Sequence, residues 1–171
     1  MEIYSEIILK HNNAPFHFEK RNDTQHVLEA YNPLCGDKFK IYLDIDDGVI
    51  SKIYFHGYGC AVSKAATSVL MKKIFEKNIP EAKKIIENYF QVLEKDFEKN
   101  ISKNIFENIF EKKNFEKINE NIFEKKIFEK NNFFDEEIFA FNAVKDFPER
   151  KTCATLSWEV LKIFLNQNFQ N

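Results

Sequence analysis

The sequence of 171 residues predicts an α+β fold, in which an antiparallel hairpin in the first third of the chain is followed by amphipathic helices. Two patterns carry the prediction. Phe39, Ile41, Leu43 and Ile45 alternate with more polar residues, Asp46-Asp47-Gly48 supplies a turn, and Ile53 and Phe55 resume the alternation. Farther on, Ile85, Ile86, Tyr89, Phe90 and Leu93 recur at helical spacing, an apolar stripe that must pack on another element, here taken to be the hairpin. The length suits one domain with a core of its own and is too short for two.

Taken in order, Ile3, Ile7 and Ile8 fall at helical spacing and predict a short helix, which the stretch from His11 to Pro15 breaks into a loop. After the hairpin and Gly57-Tyr58-Gly59-Cys60, the residues Ala61, Ala65, Val69, Ile74 and Phe75 predict a helix ending near Lys77. Pro80 suits the first turn of the next one. Over residues 98–135 the composition collapses to Phe, Ile, Glu, Lys and Asn, and residues 108–120 recur as 121–133. A thirteen-residue step turns an ideal helix by about 220° net, so Phe110, Phe115, Phe123 and Phe128 cannot line one face. The segment reads as a low-complexity insertion within a single domain spanning 1–171, with some phenylalanines packed on the domain or on a second subunit. Ile138, Phe139, Phe141 and Val144 predict a helix stopped at Phe147-Pro148. The last helix is predicted to start near Cys153 and to carry Leu156, Trp158, Leu161, Phe164 and Leu165 back to the core.

Charge excludes several functions. The net charge is −2, and the 25 basic and 27 acidic residues are interspersed, so nothing favours nucleic acid or an anionic membrane as partner. No stretch approaches the roughly 20 apolar residues that span a bilayer, and Met1-Glu2-Ile3-Tyr4 lacks a basic region followed by an apolar run, so a soluble cytoplasmic protein is expected. Three cysteines without an export signal argue against a disulfide framework and for thiols that are free, metal-bound or reactive.

All three cysteines fall at junctions, where sites are built. Cys35 and Asp37 flank Gly36 just before the hairpin, and residues two apart in an extended segment project to one side. Cys60 and Cys153 are predicted in the first turns of their helices, where unpaired N–H groups and the helix dipole lower a thiol's pKa. Three thiolates and one carboxylate suit tetrahedral zinc, and three thiolates equally suit the irons of a cluster. Around a divalent ion such a set carries excess negative charge, which Arg150, three residues before Cys153, is placed to relieve. An aspartate is the harder and more exchangeable ligand, so Asp37 is the corner that can open. Spacing alone leaves a bland alternative open, because no CxxC pattern links the cysteines and a free cysteine is often a small buried hydrophobe. Asp37 taken alone reads as a turn or capping residue. His11, His17, His26 and His56 are scattered without ligand spacing, and no phosphate loop, Ser/His/Asp triad or dinucleotide motif is present.

Three segments together carry more. Asn32-Pro33-Leu34-Cys35-Gly36-Asp37, Gly57-Tyr58-Gly59-Cys60-Ala61-Val62-Ser63 and the run from Phe147 to Trp158 resemble, in order, the signature blocks of the SufU/IscU/NifU N-terminal family of iron–sulfur assembly proteins. The resemblance implies a small antiparallel sheet covered by helices, with Cys35, Asp37, Cys60 and Cys153 as metal or cluster ligands. Thr152 stands where the IscU-type scaffold has histidine, and Phe147-Pro148-Glu149-Arg150-Lys151 replaces its chaperone-binding stretch, so the match is to the SufU branch. That branch implies a zinc-bound acceptor of persulfide sulfur from a PLP-dependent cysteine desulfurase, feeding downstream iron–sulfur assembly machinery. Cys35 is then the acceptor, with Arg150 balancing charge. The alternatives are a scaffold assembling an iron–sulfur cluster on Cys35, Cys60 and Cys153, and a structural zinc-binding interaction module.

Overall fold

The structure is a computed structural model and describes residues 4–94 and 135–169. The repeat-bearing segment read as an insertion lies outside the described residues except for Asp135. A three-stranded antiparallel sheet, β1 (His26–Asn32), β2 (Asp37–Asp46) and β3 (Val49–Tyr58), has the order β1-β2-β3. Around it stand α1 (Glu6–Asn13), α2 (Ala61–Ile74), α3 (Ile79–Glu94), the short α4 (Glu136–Phe139), a 3-10 stretch (Ala140–Asp146) and α5 (Pro148–Asn168).

The hairpin forms where the alternation placed it. Asp47 and Gly48 both take positive φ, 51° and 75°, the backbone of a two-residue turn whose twist matches the strands it joins. One face of the sheet is apolar, with rows Leu28–Ile41–Phe55 and Ala30–Phe39–Gly57 set by the strand register. Phe39, flanked by the two small residues of its row, is fully buried. A methyl on Gly57 would stand 2.1 Å from the Lys38 carbonyl oxygen, and one on Gly59 would stand 2.6 Å from the Phe39 ring. The same face ends in a polar row, Asn32 opposite Asp37, each about 1% exposed. An apolar sheet that closes on a buried aspartate marks where chemistry is held.

Strand β1 corrects the loop predicted before Cys35. Val27 and Tyr31 face solvent while the small Ala30 and the polar Asn32 face inward with Leu28, so the apolar alternation is masked. Helix α2 is buried over most of its circumference, and small residues such as Ser63, Ala65, Ala66 and Ser68 let the sheet, α1 and α5 approach it closely. The stripe on α3 packs chiefly against α5, α2 and the 3-10 stretch rather than on the hairpin. Trp158 of α5 stacks on Tyr89 of α3 at 3.7 Å and donates from Nε1 to the Ala66 carbonyl at 3.0 Å. Tyr89 in turn donates its hydroxyl to the Ala154 carbonyl at 2.9 Å, and burial pushes its pKa well up, so it stays a donor. Residues 140–146 form a 3-10 rather than an α-helix. Pro148 does not merely stop that stretch but occupies the first turn of α5, where its missing N–H costs nothing.

A charged cluster pins the start of α4 to α2 and α1. Glu137 pairs with Lys72 and Lys73, both at 2.7 Å, and with His11 Nε2 at 3.1 Å, while Lys73 also meets Asp135 at 2.6 Å. Burial alone would raise the Glu137 pKa; Lys72, Lys73 and His11 overcome it and hold the group at about 2, from 4.5. A carboxylate with a depressed folded pKa contributes stability that is whole above its unfolded pKa and is lost as pH falls toward the folded one. Glu137→Gln is therefore expected to lower the unfolding free energy by about 1–2 kcal/mol at pH 7, a difference that shrinks below pH 4.5 and closes toward pH 2. Urea unfolding across that range measures it; a pH-independent difference would show that the ion pairs are not its source.

Candidate functional site

The turn from β1 to β2 is organised by Asn32. Its carbonyl accepts from Gly36 N–H at 2.8 Å, its side-chain oxygen accepts from Leu34 N–H at 3.1 Å, and its amide donates to Cys153 Sγ at 3.7 Å. Gly36 takes φ 73°, left-handed and costly for other residues, so Cys35 and Asp37 meet through a turn rather than along an extended segment. Cys35 is exposed at the tip, and Asp37 opens β2 beneath it.

Cys153 is supplied by α5, which packs against β1. Because α5 begins at Pro148, Cys153 sits beyond the first turn, which corrects the predicted start near residue 153 and the electrostatics inferred from it. Its thiol is buried beside Cys35 and Asp37, and burial first, then the neighbouring Cys35 sulfur and Asp37 carboxylate, push its pKa far up rather than down. Cys153 Sγ lies 3.3 Å from Cys35 Sγ. One ligand atom from each of Cys35, Asp37 and Cys153 can be drawn so that all lie within 4.8 Å of one another.

Asp37 has one occupied and one free oxygen. Oδ1 accepts from the Cys60 backbone N–H at 2.8 Å, and Oδ2 is buried with no hydrogen-bond partner. Leaving a buried carboxylate oxygen unsatisfied is costly, so a carboxylate that converges with two thiols and keeps one such oxygen expects a cation or proton. Cys60 is the N-cap of α2, as its position suggested, and its Sγ accepts from Ser63 N–H at 3.4 Å. It stands outside the group formed by the other three. Arg150 is half-buried on the first turn of α5; its guanidinium pKa is raised, foremost by Tyr4 and then by the thiols of Cys60 and Cys153, against burial. Thr152 is exposed.

Two contributors escaped the sequence reading. Asn32 has the signature of an Asx turn, Asn before Pro and two residues ahead of the N–H it caps, and that signal was available. Tyr4 bears on the site only as the foremost influence raising the Arg150 pKa. The histidines serve elsewhere: His11 binds Ser68 and Glu137, His17 binds the Ile53 carbonyl, and His26 and His56 pack on Phe164 and Phe18.

The fold and this convergence define a small α+β protein that gathers thiols and a carboxylate at one end of its sheet. Residues 3–105 match the family model described as the NifU-like N-terminal domain, and the chain belongs to that family. The iron–sulfur cluster assembly scaffold protein IscU of Thermotoga maritima is 27% identical over 161 residues, 94% of this chain and 90% of the relative. The zinc-dependent sulfurtransferase SufU of Bacillus subtilis is 25% identical over the same length, 94% of this chain and 87% of the relative. The crystal structure of a SufU from Fervidobacterium islandicum shares the helix-covered three-stranded sheet, with TM-score 0.67 and 27% identity over 95% of this chain and 96% of that one. Among the described residues no helix is long and apolar enough to cross a membrane.

Proposed function

We propose that this chain is a cytoplasmic iron–sulfur cluster assembly protein, a zinc-bound acceptor that takes persulfide sulfur from a PLP-dependent cysteine desulfurase and passes it to downstream assembly machinery. The observation that carries the reading is an exposed thiol, Cys35, set against a buried thiol and a buried carboxylate oxygen that lacks a partner. The donor set fits zinc: Cys35, Asp37 and Cys153 converge, and Cys60, whose sulfur is held by Ser63, would be the fourth ligand. Bound zinc supplies the positive charge that keeps such thiols ionised. Arg150 offsets the remaining negative charge from the rim. Relatives that align over 94% of the chain support reading residues 1–171 as one domain.

In the transfer, the Cys35 thiolate attacks the outer sulfur of the partner's persulfide. The partner's S–S bond breaks, its electron pair returns to the partner's cysteine, and Cys35 carries the sulfur as a persulfide, with no net oxidation. Leu34, 87% exposed, and the outward Tyr31 and Tyr58 give the turn an apolar rim against which a partner can dock. The scaffold alternative is favoured by the names of several relatives and uses the same thiols. The two separate on iron: an acceptor accelerates the desulfurase with cysteine alone, whereas a scaffold loads sulfur only with ferrous iron. One zinc per chain is also expected by elemental analysis of protein purified without oxygen. A chain that holds no zinc, or keeps it after Cys60→Ser and Cys153→Ser together, would sink the zinc assignment.

A further inference from the structure

A persulfide formed on Cys35 would have a second thiol directly behind it. Cys153 Sγ lies 3.3 Å from Cys35 Sγ, the atom that becomes the inner sulfur of the persulfide. Cys153 is buried and Cys35 exposed, so the approach is from the protein side and the carried sulfur faces solvent. Cys60, by contrast, has its sulfur tied to Ser63 and lies outside the group. Hydrosulfide is the conjugate base of a stronger acid than an alkyl thiol and is the better leaving group, which favours attack on the inner sulfur.

From this arrangement we infer a further activity, resting on the acceptor reading above: Cys153 discharges the Cys35 persulfide as inorganic sulfide. The Cys153 thiol passes its proton to the persulfide's terminal sulfur, and the electron pair so freed on Cys153 Sγ forms a bond to Cys35 Sγ as the bond from Cys35 Sγ to the carried sulfur breaks. The carried sulfur leaves with the electron pair of the broken bond and the Cys153 proton, as hydrosulfide. The sulfur gains two electrons and the cysteine pair, now a disulfide, loses two, so one turnover needs no outside reductant. A dithiol reductant must reopen the Cys35–Cys153 disulfide before the next. Cys153 engaged as a metal ligand is withheld from the reaction, so the metal decides whether sulfur leaves as persulfide or as sulfide. The consuming step must then be one that takes sulfide, such as its combination with iron.

The test charges the zinc-loaded full-length chain on Cys35 with a persulfide-bearing desulfurase freed of cysteine, removes the desulfurase, and compares the charged chain before and after chelation. After chelation, wild type is expected to release about one sulfide per sulfur transferred and to become two hydrogens lighter, with Cys35 and Cys153 joined in the non-reducing peptide map. The zinc-loaded chain is expected to keep the sulfur on Cys35, and whatever sulfur Cys153→Ser accepts is expected to stay there after chelation. A chelated wild type that holds its persulfide, or whose disulfide joins other cysteines, overturns the inference and leaves the acceptor reading standing. Sulfur absent from Cys35 in every sample overturns the acceptor reading instead. Because the disulfide is mapped in wild type, the result does not hang on the folding of the variant.

Discussion

Replacement of Cys35 by serine is expected to return desulfurase turnover to its rate without acceptor while leaving the fold intact. The two halves of that expectation come from different observations. Cys35 is exposed at the tip of a turn whose shape is set by Asn32 and Gly36, so a substitution of similar size should change stability by no more than about 0.5 kcal/mol. A serine hydroxyl is far too weakly acidic to attack a persulfide near neutral pH, although its oxygen can still fill a coordination position. Steady-state turnover with excess acceptor and a thermal melt of the variant read the two halves separately. Normal acceleration by Cys35→Ser would move the acceptor role to another thiol, and a large drop in melting temperature would make the turn part of the packing rather than a presenting loop.

Trp158→Ala should produce the largest loss of stability, about 3–5 kcal/mol, because it empties a fully buried site between α2, α3 and α5. Set against a typical total of about 5–15 kcal/mol, that leaves the fold marginal. Trp158→Phe keeps a ring against Tyr89 and loses the bond to the Ala66 carbonyl, so about 1–2 kcal/mol is expected. Urea unfolding with an unchanged slope measures both. The same helix carries Cys153, so the alanine variant should also hold zinc less tightly. A loss below about 1 kcal/mol for Trp158→Ala would mean that α5 is held by other contacts.

The hairpin and the helical stripes were legible because their side chains obey the periods of 2 and 3.6 that burial imposes. Strand β1 was not, since its inward positions hold Ala30 and Asn32 and its outward ones hold Val27 and Tyr31. The start of α5 was missed for a related reason. Pro148 reads as a stop after the preceding segment and as a first-turn residue of the next helix, and only packing decides which role it plays. That shift of five residues matters chemically, because it moves Cys153 from a helix terminus that stabilises thiolate to a buried position that opposes it. The candidate ligands were legible through their signature segments, whereas the free oxygen of Asp37, the capping role of the Cys60 sulfur and the bonds from Asn32 emerge only when three distant elements meet.

The central claim is that sulfur goes to Cys35 and does so without iron. Mixing the zinc-loaded chain with its desulfurase and cysteine in iron-free buffer, alkylating, and analysing the intact protein and its peptides by mass spectrometry tests this directly. The account predicts one additional sulfur, carried by the peptide containing Cys35 and by neither the Cys60 nor the Cys153 peptide. Sulfur on Cys60 or Cys153, or loading that appears only when ferrous iron is supplied, would contradict it.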